Sequence, residues 1–114
     1  MAKLDDAKRQ KLAEEHGEIV VITHKRAGDA AFKGPSRPLW EQFQSRVLND
    51  KTKASSTSWL VRSCLIFPDA AEFETYLDRY PMLAEKAGAQ LVELAGGGEE
   101  DVTVKKYESA ASKT

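Results

Sequence analysis

Few residues in this chain are of the types that break bonds or hold metals, and their spacing limits what they can do. His16 and His24 are the two imidazoles. They are too far apart for the i, i+4 pair of a helical zinc site and fit no compact zinc motif. Lys25 and Arg26 follow His24 and disfavour a bound cation, so both histidines read as surface residues. Cys64 is the single cysteine, which excludes an internal disulfide and a four-thiolate zinc site and points to a reduced, cytosolic setting. Its place inside an apolar run reads as a packed small hydrophobe, since a reactive thiol needs an exposed, electropositive setting. Gly96-Gly97-Gly98 follows a predicted helix instead of a strand, and the carboxylates of Glu99, Glu100 and Asp101 would repel a phosphate. Those carboxylates also lack the alternating ligand order of a calcium loop, so the run reads as a flexible, solubilising linker. Glu72 and Glu74 are two apart and face different directions on a helix. With no nucleophile, acid–base pair or ligand set in register, the chain is expected to be no enzyme and to use no metal or cofactor.

Composition narrows the class further. The chain has 114 residues, 41% of them hydrophobic and 31% charged, with a formal net charge of −1. That balance is of one soluble, globular domain. No apolar run approaches the roughly 20 residues that cross a bilayer, and the charged N-terminus has no signal-peptide core, so no membrane partner is expected. Charge is nonetheless segregated. Residues 1–63 carry a balance of +4 and residues 64–101 one of −7. The basic residues are spread instead of clustered, which argues against a nucleic-acid partner. The acidic stretch reads as a solvated helix face, or else as a docking surface for a basic partner helix.

The positioning elements follow from local signals. Residues 1–17 form a charged N-terminal extension, either a frayed helix or loose chain. Residues 18–24, with four consecutive β-branched apolar residues, predict a strand. Gly28 allows a turn and residues 30–33 return as a short second strand, giving a hairpin. Ser36 is placed to cap a helix that tolerates Pro38 in its first turn and carries Leu39, Trp40, Phe43 and Val47 on one face. Residues 51–57 read as a loop. Residues 58–67 are apolar nearly all round; periodicity cannot separate buried strand from buried helix, and the serine-rich lead-in tips the balance towards helix. Pro68 stops that run and Asp69 caps the next helix, on which Phe73, Tyr76, Leu77 and Tyr80 share a face. Pro81 opens a last helix with Leu83, Ala87, Leu91 and Leu94 inward, closed by a left-handed Gly96. Residues 102–104 could add a short edge strand, and residues 109–114 are expected to be disordered. The fold class is therefore α+β: a small N-terminal β-hairpin followed by a bundle of about four helices, segregated to one side of the sheet. Residues 18–96 make the single domain and residues 97–114 an acidic, glycine-rich linker and tail. Trp40, Phe43, Trp59, Phe67, Phe73 and Tyr76 are the expected centre of the core.

From Phe32 onward the order of these signals resembles the tail assembly chaperones of tailed bacteriophages. The resemblance rests on Phe32-Lys33-Gly34-Pro35-Ser36 entering a helix with the aromatic pair Trp40 and Phe43. It continues through Leu65-Ile66-Phe67-Pro68, Tyr80-Pro81-Met82-Leu83, Leu94-Ala95-Gly96 and Val102-Thr103-Val104-Lys105-Lys106. The chain departs from the pattern at Gly34 and Met82. The resemblance implies a non-enzymatic helper in the host-cell cytoplasm. It would coat an aggregation-prone tape-measure protein until tail-tube subunits polymerise around it. A long helix with exposed apolar stripes self-associates in water unless covered, and a small helical domain can cover it with a groove. Tyr76, Tyr80, Met82 and Leu83, around the Pro81 turn, are the candidate partner-binding residues, because methionine and tyrosine adapt to varied partners. The alternative for these four is that they only pack the last two helices together. A second functional reading is a structural virion subunit, a tail-completion or head–tail joining protein, assembling through the edge strand at residues 18–24. Weak homo-oligomers fit either reading. A DNA-associated regulator using Lys25, Arg26, Lys33 and Arg37 is disfavoured by the charge balance.

Overall fold

A computed structural model describes residues 3–97, 103–105 and 107. Its elements run α1 (Asp6–His16), β1 (Ile19–His24), β2 (Gly28–Lys33), α2 (Arg37–Leu48), α3 (Ser56–Cys64), β3 (Leu65–Phe67), α4 (Ala70–Arg79) and α5 (Met82–Val92). A short 3-10 turn, Lys53–Ser55, leads into α3, and a π-type turn, Glu93–Gly97, follows α5. This is the expected α+β plan, with four helices after the hairpin and one before it.

Local chemistry sets most boundaries. The Ser36 hydroxyl accepts from the Leu39 N–H at the start of α2, and the Asp69 carboxylate accepts from the Glu72 N–H at 2.8 Å at the start of α4. Each satisfies a donor that the first helical turn leaves without a partner. Gly96 closes the chain's last turn at φ 92°, a conformation that disfavours side chains with a Cβ.

The run at residues 58–67 divides between both readings. Its first part completes α3, and its last three residues leave the helix as β3. Pro68 disfavours helical geometry at Phe67, and β2 offers an open edge to which β3 hydrogen-bonds. The sheet has the order β1-β2-β3 and is antiparallel throughout, with a bulge between Ala31 and Phe32 on the β3 side. The third strand is thus β3. Residues 103–104 carry no strand, whereas Val102 and residues 109–114 lie outside the described residues.

Strand alternation gives β2 two working faces. Ala30 and Phe32 enter a core with Leu60, Val61 and Cys64 of α3, Phe73 and Tyr76 of α4, and Leu83, Ala87 and Leu91 of α5. Phe32 meets Phe73 edge-to-face with ring centroids 5.7 Å apart. Among the expected core residues Phe73 and Tyr76 are buried, while Trp40, Phe43 and Trp59 pack half-buried at its margin and Phe67 is half-buried at the end of β3. Phe32 occupies the centre instead, because β2 is covered on both faces.

The second face of β2 carries Asp29 and Ala31, and the N-terminal extension closes over it. Asp29 is 4% exposed. Its carboxylate accepts from the Leu4 N–H at 2.7 Å and from the Thr23 hydroxyl at 2.7 Å, with the Arg9 guanidinium 3.6 Å away. Arg9 Nε also donates to the Leu4 carbonyl at 3.1 Å. The helices are therefore not all on one side: α1 is anchored opposite α3–α5. Since α1 has almost no apolar stripe of its own, this polar anchor and the buried Leu4 are what hold it.

Candidate protein-binding surface

Met82 and Leu83 begin α5 and show how that helix divides. Leu83, Ala84, Ala87, Gly88 and Leu91 face inward, whereas Met82, Glu85, Ala89 and Val92 recur at spacings of three and four along the outward side. Met82 is 58% exposed and Val92 40% exposed. This side of α5 forms one wall of a groove of ≈ 350 Å³ whose floor and opposite wall come from Phe43 of α2 and Thr57 and Leu60 of α3. Val47, one turn after Phe43, and Leu48 at the end of α2 are exposed hydrophobic residues, Leu48 at 84%. From Glu85 to Val92 this wall runs about 10 Å at the helical rise.

Small residues make the groove possible. A Cβ on Gly88 would sit 2.6 Å from Cγ2 of Thr57, so α3 and α5 approach at a distance that only glycine admits without adjustment. Ala89 then leaves the wall low. Glu85 adds a carboxylate to the lining. Elsewhere between α2 and α3 the Arg46 guanidinium lies over the Trp59 ring, 4.4 Å from its centroid.

The four residues singled out by sequence do not converge on one surface. Tyr76 and Leu83 are core residues. Tyr80 is half-buried, its ring stacked on His24 with centroids 4.3 Å apart and covered by the Arg26 guanidinium at 4.6 Å. Met82 is exposed at the start of α5 and is not among the residues that line the groove. Sequence reading missed Phe43, Gly88, Ala89 and Val92 as surface-forming residues. The cluster Ala87-Gly88-Ala89 was the available signal, since small residues on a helix permit close approach of a neighbour.

The chemistry-bearing side chains are committed to structure. His24 is not a free surface residue: its Nδ1 accepts from the N–H groups of Arg26 and Ala27, each at 3.1 Å, and shapes the hairpin turn. His16 is exposed. Cys64 is buried, and burial pushes its thiol up to about 11, with Lys33 opposing weakly. Glu74 is held bidentately by Arg62, with Nε and Nη2 each 2.9 Å from a carboxylate oxygen, and that hydrogen-bonded partner keeps its carboxyl below the usual range. Asp29 is likewise held below its ordinary value, first by the Leu4 N–H and then by Thr23 and Arg9, against the opposing effect of burial. Among the described residues no three of His, Cys, Asp and Glu gather at one point, and no helix is long and apolar enough to cross a membrane. Glu99, Glu100 and Asp101 lie outside the described residues.

No family model matches the chain, and no curated protein matches it. A solved structure of an uncharacterised protein from Bacillus stearothermophilus is similar in fold, with a TM-score of 0.67 and 18% identity over 86% of this chain and 99% of that one.

Proposed function

We propose that this chain is a non-enzymatic binding protein of the phage tail assembly chaperone kind, which shields the apolar stripe of a tape-measure helix in the host-cell cytoplasm. The observation that supports the reading is the open groove in which Gly88, Ala89 and Val92 of α5 face Phe43 and Leu60, with Glu85 on the same wall. An amphipathic helix lays its i, i+3, i+4 and i+7 side chains into a trough of this kind, and the lined length of α5 accommodates about two helical turns. Contacts of this shallow, partly hydrated sort give modest affinity, which suits a helper that must release its client when tube subunits arrive.

The reading is tested with Ala89→Asp and Val92→Asp, which place carboxylates at exposed positions that line the groove. Co-expression with a tape-measure fragment should yield a soluble complex with the unaltered chain and an insoluble fragment with the double variant. Far-UV circular dichroism should be unchanged between the two chains. Equal recovery of the complex with both would remove the groove from the interface.

A further inference from the structure

The sheet has one edge whose length and composition leave it ready to pair. β3 caps the other edge over three residues, but β1 hydrogen-bonds only to β2 over its full six residues. In an antiparallel strand, alternate residues direct both N–H and C=O away from the existing partner. No described residue takes those outward groups of β1. Proteins blunt such edges with an inward charge, a proline or a bulge. Residues 19–23 are Ile-Val-Val-Ile-Thr, without charge or proline, and the sheet's bulge lies between Ala31 and Phe32 on the β3 side.

The charges stand at the two ends of β1 instead. Glu18 precedes the strand, and His24, Lys25 and Arg26 end it and begin the turn. We infer that two copies of this chain pair antiparallel through β1, joining two three-stranded sheets into one continuous sheet. An isologous pair places the same patch on both sides of a two-fold axis. Residues directly opposite in an antiparallel ladder share the same hydrogen-bonding sense, so the axis must pass through a residue and not between two. Two centres fit the strand. Centred on Val21, Glu18 falls opposite the partner's His24 and Val20 opposite the partner's Ile22. Centred on Ile22, Glu18 falls opposite the partner's Arg26. In both, the carboxylate of one chain meets the cationic turn of the other, twice per dimer. A parallel pairing would set Glu18 beside Glu18 and Lys25 beside Lys25, and directly opposed like charges destabilise a sheet. The antiparallel arrangement also keeps like faces together, with both α1 layers on one side and both α3–α5 layers on the other.

This inference is independent of what the α5 groove binds. Its test is the mass of the full chain by light scattering across a concentration series, with charge variants at the exposed Glu18 and cysteines at the half-buried Val21 and Ile22. The mass should rise towards that of a dimer as concentration increases. Glu18→Lys should weaken the dimer roughly tenfold, since two attractive contacts become repulsive. Mild oxidation of Val21→Cys should give a disulfide-linked dimer, because opposed strand residues lie within disulfide reach, and native Cys64 is buried. A cross-link through Ile22→Cys in preference to Val21→Cys would support the pairing in its other register. A chain that stays monomeric at every concentration overturns the inference. So does a dimer indifferent to Glu18→Lys with no cross-link at either position. A monomer that takes a foreign extended peptide onto β1 overturns it too.

Discussion

Removing the Asp29 carboxylate should release the N-terminal helix, and the size of the effect follows from what that carboxylate holds. Its two short bonds, from the Leu4 N–H and the Thr23 hydroxyl, are both 2.7 Å. Hydrogen bonds to a charged group contribute about 1.5–3 kcal/mol each. The two losses do not simply add. Thr23 is exposed and its hydroxyl rehydrates, whereas the Leu4 N–H is buried and finds water only if the segment lifts from the sheet. Lifting sets a ceiling, because the loss cannot exceed what docking of Leu4 and α1 contributes. Burial of one leucine is worth about 1.5–3 kcal/mol. Asp29→Ala is therefore expected to destabilise the domain by about 3 kcal/mol, a large share of the roughly 5–15 kcal/mol that a domain possesses. Asp29→Asn should cost less, about 1–2 kcal/mol, since its carbonyl can still accept from Leu4 while its amide donates to Thr23. Urea denaturation gives the totals, and amide hydrogen exchange locates the loss, which should fall on α1 before the core helices. The pH dependence provides a sign. Asp29 in the folded chain is held below its ordinary value of 3.8, so between the two values the unfolded chain binds more protons. The contribution is complete above that ordinary value and is lost as pH falls through the folded one. The gap between Asp29→Ala and the parent should therefore be widest near neutrality and close in acid. A shift in unfolding free energy below about 0.5 kcal/mol, or α1 amides that keep their protection, would refute the anchoring role.

Two further outcomes follow from close packing. Gly88→Ala should destabilise by about 1–3 kcal/mol through its collision with Cγ2 of Thr57. In a Thr57→Ser background, which lacks that methyl, the same change should become neutral or stabilising by up to about 1 kcal/mol, since alanine is the better helix former; urea midpoints of the four chains check the coupling. Cys64, buried and with its thiol pushed up to about 11, should resist iodoacetamide at neutral pH in the folded chain and react at an ordinary rate in denaturant, as mass spectrometry would read directly.

The resemblance to a solved fold at 18% identity has a physical counterpart in how little sequence the architecture demands. Caps at Ser36 and Asp69, breaks at Pro68 and Pro81, and a left-handed glycine at position 96 are signals that any sequence could carry at these places. They divide the chain into elements while leaving the surface free to vary. Fold likeness at that distance carries no function with it, which is why the groove and the β1 edge must be argued from their own residues.

What the amino-acid sequence determined by itself was everything governed by neighbours a few positions apart. The hairpin, the starts of α2 and α4, the stop at Phe67-Pro68 and the turn at Gly96 depend on hydrogen bonds and dihedral limits within one or two turns of chain, and those are written locally. Tertiary structure decided the rest. The run at residues 58–67 became helix and then strand because β2, far back in the chain, needed a second edge partner. The N-terminal segment became an anchored helix because Leu4 meets Asp29 twenty-five positions away. Phe32 took the core's centre because two layers close over a strand too short to show it. The four residues around Pro81 parted company, two into the core, one onto the hairpin and one out at the exposed start of α5, because each meets a different layer once the helices pack. Each of these outcomes rests on surfaces brought together by folding, and no window along the chain contains both.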